Sequence, residues 1–126
     1  MLAVCYGTLK QGYNNHRVLS SSTSSGRAVK VADGVVHGYE LYDSGFPVAA
    51  ASDDGSVVVE VYEVDTLERL DMLEGFPHMY LRKEIEVDSN VGKITGWMYY
   101  GNPRCWDYSK MQLCDHENGL YNWGHK

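Results

Sequence analysis

The sequence predicts an α+β domain in which a small, mixed, barrel-like sheet of about six strands carries one or two covering helices. Three observations favour this class. Short alternating segments such as Leu81–Val87 recur between breaks rich in glycine. One segment, Leu67–Leu73, instead carries leucines at helical spacing. The chain has 126 residues, a length typical of one domain. We therefore expect a single domain over 1–126, with 101–126 as a C-terminal tail packing on it.

The first strand is predicted at Leu2–Cys5, a short apolar run that ends abruptly before Gly7. The polar residues after Gly7 predict a loop rich in backbone N–H groups, which can cradle an anion or an oxyanion. A helical turn is expected over 15–19, with Asn14 or Asn15 as its cap. The serine-rich stretch 20–25 is expected to be a surface loop.

Two turns are predicted in the middle of the chain from their residue types. Asp33–Gly34 separates two alternating segments, 26–32 and 35–42, which predicts a hairpin with its turn at these two residues. Ser52–Gly55 is expected to be a second turn, after which Ser56–Val64 forms the central strand of the sheet.

A helix is predicted to follow that strand. Asp65–Glu68 carries a D-x-x-E start signal, and Gly75 is a typical stop. Leu81–Val87 and 93–100 are predicted as the last two strands. Residues beyond 101 show little periodicity, and a helical turn near 106–113 is the one element predicted for them.

Composition limits the function classes. The net charge of −6 and the absence of a basic cluster argue against nucleic acid as a partner. The three cysteines are widely spaced, which favours free thiols in a reducing compartment, and we expect a cytoplasmic protein. No apolar run is long enough to span a membrane and no signal segment precedes the first strand, so a membrane partner is not expected.

Glu74 is the residue that local rules do not explain. It shares a helical face with Leu67 and Leu70, which must point toward the core, and it lies at the negative end of the helix dipole. A partly buried carboxylate with few cationic side chains nearby has a raised pKa, and it can act as a general acid or base near neutral pH. The alternative is that Glu74 frays into solvent with the last turn of the helix.

Two motifs in order resemble the γ-glutamylcyclotransferase-like family, and most closely its γ-glutamylamine cyclotransferase, or avirulence-induced-like, branch. Tyr6–Lys10, with Asn15–His16 a few residues later, is similar to the opening motif of the family. Leu70–Pro77, followed by Tyr80–Arg82, resembles its second motif. Glu60–Val64 is similar to the central strand of the family. The resemblance spans about residues 2 to 100.

The resemblance implies a small mixed α/β barrel and a reaction in which a γ-glutamyl amine is converted to 5-oxoproline and a free amine. It implies that Glu74 is the catalytic acid/base, and that the loop of Tyr6, Gly7, Thr8 and Leu9 holds the γ-glutamyl group. Tyr80 is a further candidate to line the substrate pocket. The substrate supplies its own nucleophile, so no metal or other cofactor is expected.

Several alternatives stay open at this point. The same fold could serve as a non-catalytic module that binds or sequesters a small ligand. Cys5 is next to the loop but belongs to an apolar strand, which favours a buried structural thiol over a nucleophile. Arg82 is expected to pair with Glu84 or Glu86.

Overall fold

Within residues 1–124, which the computed structural model describes, five strands close into a ring. They are β1 (Leu2–Cys5), β2 (Val29–Asp43), β3 (Pro47–Glu63), β4 (Tyr80–Ser89) and β5 (Gly92–Gly101). The ring runs β2, β4, β5, β1, β3 and closes where β3 pairs with β2. β1 and β5 are parallel and every other neighbouring pair in the ring is antiparallel. The predicted mixed, barrel-like sheet is confirmed.

Two helices and a series of short elements complete the described chain. The helices are α1 (His16–Ser21) and α2 (Glu68–Glu74). The C-terminal segment forms a 3₁₀ turn and three two-residue strands: Tyr108–Lys110, then β6 (Gln112–Leu113), β7 (His116–Glu117) and β8 (Leu120–Tyr121). β6 extends the sheet from β2, and β8 pairs with β3. None of the helices described is long and apolar enough to cross a membrane.

The core is divided in two because successive strand residues point to opposite faces. On β1, Val4 joins one apolar cluster, while its neighbours Ala3 and Cys5 join the other. The first cluster is built from strand and tail residues and occupies the inside of the ring. The second contains Leu19 of α1 and Leu70 of α2, so it lies between the ring and the helices. The α2 helix is therefore held against the outside of the ring by its leucines.

The predicted turns at Asp33–Gly34 and Ser52–Gly55 are wrong. Both lie inside long strands, and β2 and β3 form one hairpin whose turn is at 44–46. Gly34 is needed for close approach, because a Cβ there would lie 2.7 Å from a Val87 methyl group on β4. At Gly55 a Cβ would lie 2.1 Å from the carbonyl oxygen of Tyr39. These glycines let the sheet curve, and their turn-like sequence signal is misleading.

The ends of the helices also differ in part from expectation. α1 includes Ser20 and Ser21, so the predicted loop over 20–25 begins later. The D-x-x-E signal does not cap α2, since the Asp65 carboxylate accepts from the Ser24 amide instead, at 2.5 Å. The predicted stop is confirmed, because Gly75 follows the helix in the left-handed conformation, with φ 63°.

Candidate active site

An open cavity of about 380 Å³ lies where the first loop, the end of α2, the β2–β3 turn and the start of β4 meet. Its lining includes all six residues singled out from the sequence, which are Tyr6, Gly7, Thr8, Leu9, Glu74 and Tyr80. The two sequence motifs, whose central residues Gly7 and Glu74 are 67 positions apart in the chain, therefore meet across one cavity.

Glu74 is partly buried at the C-terminal end of α2 and lines this cavity. Leu67 and Leu70, on the same helical face, are buried, which directs the carboxylate inward and not into solvent. Within residues 1–124 the carboxylate forms no hydrogen bond and no ion pair, and burial raises its pKa to about 7. It can thus gain or lose a proton near neutral pH.

The first loop is held in shape by Asn15. Its side-chain amide donates to the hydroxyl of Thr8 at 2.8 Å, and its backbone amide donates to the carbonyl of Thr8 at 3.1 Å. His16 Nδ1 donates to the carbonyl of Leu9 at 2.9 Å, so His16 supports the loop. The loop is consequently fixed before any ligand arrives.

The loop leaves backbone N–H groups free. The amides of Gly7, Thr8 and Leu9 donate no hydrogen bond to any residue in the described range 1–124. Gly7 also lies directly against Pro47, since a Cβ at Gly7 would be only 2.5 Å from the ring of that proline. Three unpaired amides on a rigid turn beside a cavity are able to bind an anion or stabilise an oxyanion.

Tyr80 closes another side of the cavity. It is buried, and its hydroxyl donates to the carbonyl of Pro47 at 3.0 Å. Burial, followed by the nearby charge of Glu74, raises the pKa of Tyr80 well above its ordinary value. The phenol therefore stays neutral and acts as a fixed wall that ties the start of β4 to the start of β3.

Sequence reasoning missed a polar cluster directly behind the cavity. Arg82 pairs with Asp71, and the expected pairs with Glu84 or Glu86 are wrong. The hydroxyl of Tyr99 donates to the same carboxylate at 2.5 Å, and the ring of Tyr99 lines the cavity. No local pattern could reveal this cluster, because its members come from α2, β4 and β5.

The exposed lining of the cavity is largely apolar. Phe46, Leu73 and Met79 contribute to it, with exposed fractions of 38%, 41% and 39%, beside the exposed Asn14 and Gly45. Leu73, the last of the leucines at helical spacing in 67–73, therefore faces the opening instead of the core. No lysine, arginine or histidine among the described residues lines the cavity.

Cys5 also lines the cavity but is 2% exposed. Burial, followed by the charges of Glu74 and Glu60, raises the pKa of its thiol far above the ordinary value. A neutral, buried thiol is a poor nucleophile. Across residues 1–124 no three side chains of the metal-binding types converge into a group that could hold a metal ion.

Comparison with known proteins decides the family. The model of the gamma-glutamyl cyclotransferase, AIG2-like family matches residues 3–122. The chain belongs to this family. Its relatives include proteins named "Putative gamma-glutamylcyclotransferase" from Methanocaldococcus jannaschii, 35% identical over 79% of this chain and 83% of that protein, and from Vibrio cholerae, 37% identical over 78% and 79%.

A third relative, from Niallia circulans, is named a gamma-L-glutamyl-butirosin B gamma-glutamyl cyclotransferase. It is 31% identical over 87% of this chain and 71% of that protein. Among solved structures, a Pyrococcus horikoshii protein matches with a TM-score of 0.57 and 27% identity, over 80% of this chain and 77% of that one. An AIG2-like mouse protein matches with a TM-score of 0.65 at 20% identity, over 93% and 97%, which supports the fold. The chain is an enzyme of the γ-glutamylcyclotransferase type.

Proposed function

We propose that the enzyme converts a γ-glutamyl amine to 5-oxoproline and the free amine, with Glu74 as the acid/base. The α-amine nitrogen of the γ-glutamyl group attacks the δ-carbonyl carbon of the same group. A new C–N bond closes the five-membered ring, and the bond from that carbon to the leaving nitrogen breaks. One proton moves from the attacking nitrogen to the leaving nitrogen. No other reactant is consumed.

The observation that carries this proposal is the position of Glu74, an unpaired carboxylate with a pKa of about 7 in the same cavity as three free amides. At neutral pH the substrate's α-amine is mostly protonated and must lose a proton before it can attack. A carboxylate with this pKa can take that proton and later give it to the leaving nitrogen, because its acid and base forms are both populated.

The free amides of Gly7, Thr8 and Leu9 support the second half of the mechanism. The tetrahedral intermediate carries an oxyanion, and donors fixed in advance stabilise it without reorganisation. Asn15 holds the loop through the Thr8 hydroxyl, so these donors are preorganised. We assign binding of the γ-glutamyl group to this loop, together with Tyr6 and the wall formed by Tyr80.

The mouth of the cavity favours an amine as the leaving group over an amino acid. A leaving amino acid or peptide carries its own carboxylate. No cationic side chain of the described residues lines the cavity, and three of its five exposed lining residues are the apolar Phe46, Leu73 and Met79. A carboxylate placed against these apolar side chains would lose hydration without gaining a cationic partner. An amine with an apolar body meets no such penalty.

A matched pair of variants tests the assignment of Glu74. Glu74→Gln keeps the shape of the side chain but cannot exchange a proton, so we expect 5-oxoproline formation to fall by at least about 100-fold. Glu68→Gln, an exposed glutamate at the other end of the same helix, is the control and should keep wild-type activity. Wild-type turnover in Glu74→Gln would exclude the proposed mechanism.

A matched pair of substrates tests the choice of leaving group. γ-Glutamylphenethylamide and γ-glutamylphenylalanine differ only by one carboxylate, on the carbon bonded to the leaving nitrogen. We expect kcat/KM for the phenethylamide to be at least about tenfold higher, because of the desolvated carboxylate in the other substrate. A preference for γ-glutamylphenylalanine would contradict the amine assignment and leave cyclotransferase activity intact.

The wider context of the proposal follows from charge and cysteine chemistry. Cys5, Cys105 and Cys114 are free thiols, which supports a cytoplasmic location. A net charge of −6 argues against nucleic acid as a partner. Residues 102–124 contact the first loop through Lys10 and the α2–β4 connection through Met79, which supports a single domain with a packed tail.

A further inference from the structure

Trp106, in the C-terminal segment that no sequence pattern explained, contacts three residues of the cavity wall without lining the cavity itself. Its indole N–H donates to the carbonyl of Met79 at 2.8 Å. Its ring packs edge-on against Phe46, with centroids 5.9 Å apart, and against Tyr80, at 6.1 Å. Phe46, Met79 and Tyr80 come from two different parts of the chain, and all three line the cavity.

The segment around Trp106 also forms hydrogen bonds with the connection between α2 and β4. The carbonyl of Met79 accepts a second hydrogen bond, from the backbone amide of Asn102, at 3.0 Å. The side-chain amide of Asn102 donates to the carbonyl of His78 at 2.9 Å. This connection joins Glu74 to Tyr80, so the tail fixes the chain between the proposed acid/base and the opposite wall.

The indole of Trp106 also lies close to the end of β5. A Cβ at Gly101, where the chain leaves β5, would lie 3.2 Å from the indole ring and 2.2 Å from the hydroxyl of Tyr108. The missing side chain at Gly101 therefore lets the indole and the Tyr108 hydroxyl pack against the end of β5. Close packing of this kind transmits the position of a side chain to the side chains that it touches.

We propose that Trp106 is a positioning residue that determines which leaving amines the cavity accepts. It holds Phe46 and Met79 at the mouth, where the body of the amine must pass. A large amine contacts this wall, whereas a very small one does not reach it. The proposal rests on the cyclotransferase function and on the γ-glutamyl amine substrate, and it adds the residue that sets the size and shape preference.

The experiment compares two substrates, γ-glutamylphenethylamide and γ-glutamylmethylamide, in three variants. Trp106→Ala removes both ring contacts and the hydrogen bond. Trp106→Phe keeps an aromatic ring but loses the N–H donor. Trp123→Ala is the matched control, since this tryptophan belongs to the same tail and packs on the core cluster inside the ring.

For Trp106→Ala we expect kcat/KM with the phenethylamide to fall about tenfold, mainly through KM, since small displacements of a positioning wall are costly. With the methylamide, kcat/KM should fall less than about threefold. The ratio of kcat/KM for the phenethylamide to kcat/KM for the methylamide therefore decreases. Trp106→Phe should shift this ratio in the same direction by a smaller factor. If Trp106→Ala does not fold, the ratio in Trp106→Phe is the test of the positioning role. The ratio in Trp123→Ala should equal that of the wild type.

The possible outcomes separate the two proposals. If wild-type enzyme releases no 5-oxoproline from either amide, the proposed function fails and this inference fails with it. If wild-type enzyme is active and the Trp106 variants lower both substrates equally, Trp106 is only structural and this inference alone is overturned. The same conclusion follows if Trp123→Ala changes the ratio as much as Trp106→Ala does.

Discussion

Arg82 donates two parallel hydrogen bonds to the carboxylate of Asp71, from Nε to Oδ1 at 2.8 Å and from Nη2 to Oδ2 at 3.2 Å. The guanidinium is stacked between the rings of Phe76 and Trp97, at 4.5 and 5.0 Å from their centroids. Asp71 precedes Glu74 by about one helical turn. The ion pair therefore holds the C-terminal half of α2 against the ring of five strands. This contact fixes the position of the Glu74 carboxylate.

Replacing Arg82 with methionine should weaken both the fold and catalysis. Methionine keeps much of the apolar bulk between the two rings, but the partly buried Asp71 loses its cation and keeps only the hydroxyl of Tyr99. We expect the free energy of unfolding to fall by about 2 kcal/mol, since one partner of a partly buried pair is left behind. kcat should fall with it, because α2 is less firmly held. Chemical denaturation and 5-oxoproline release measure the two effects.

A surface ion pair supplies the control for this prediction. Lys93 and Glu86 lie 3.5 Å apart, with exposed side-chain fractions of 71% and 64%. Lys93→Met should change the free energy of unfolding by no more than about 0.5 kcal/mol, since exposed pairs contribute little. Equal effects of Arg82→Met and Lys93→Met would contradict the role given to the Asp71 pair.

The features that follow local rules could be predicted from the sequence. Glu74 was identifiable because helical periodicity aligns it with Leu67 and Leu70, and the first loop because an apolar strand stops before Gly7. Features that depend on distant partners could not. Arg82 alternates along β4 like any surface charge, and only the packing of α2 brings Asp71 to it. Trp106 lies in a segment without periodicity, so nothing local indicated that it reaches the cavity.

Glycine was the residue most easily misinterpreted. Gly34 and Gly55 each directly follow an aspartate, and Asp-Gly pairs are typical of hairpin turns. In the folded chain both mark places where another strand approaches too closely for a side chain. Sequence alone does not distinguish the two uses, because the neighbour that excludes the side chain is 16 residues away for Gly55 and 53 for Gly34.

Activity should depend on pH through Glu74. Its pKa is raised to about 7 by burial, and it must be ionised to accept the proton of the substrate amine. We expect kcat/KM to fall about tenfold for each pH unit below this value. Glu68→Gln should show the same profile as the wild type. A profile that is flat between about pH 5 and pH 8 would exclude Glu74 as the titrating base.

Removing the Glu74 charge should stabilise the protein, with a characteristic pH dependence. The pKa rises from 4.5 to about 7 on folding, so the folded state binds the proton more tightly. Its favourable contribution is complete below the lower value and is lost as the pH rises through the higher one. At pH 8 we expect Glu74→Gln to be more stable than the wild type by about 3 kcal/mol, and at pH 4 by almost nothing.

Thermal or denaturant unfolding at both pH values measures this gain. Glu68→Gln, which changes an exposed glutamate of the same helix, should give a small difference that does not vary between the two conditions. A Glu74→Gln protein that is less stable than the wild type at pH 8 would show that the carboxylate is well solvated. It would also remove the physical basis for the raised pKa.

Gly7→Ala should damage catalysis more than its cost in stability explains. The added Cβ would lie 2.5 Å from the Pro47 ring, and a proline ring cannot rotate away, so the loop must shift. We expect a loss of about 1–3 kcal/mol in the free energy of unfolding from the overpacking. The displaced amides of Gly7, Thr8 and Leu9 should lower kcat by at least about tenfold.

Gly92→Ala is the control for Gly7→Ala, because it lowers stability through backbone strain at a site away from the cavity. Gly92 is the first residue of β5, directly after the β4–β5 turn, with φ 107° and no described atom within 4 Å of its Cβ position. Alanine there should cost about 1 kcal/mol in stability through backbone strain alone. Since this turn contributes nothing to the cavity lining, kcat should not change. If the two alanine variants lose activity in proportion to stability, the free amides beside Gly7 do not act in the reaction, and the loop serves only to hold the fold.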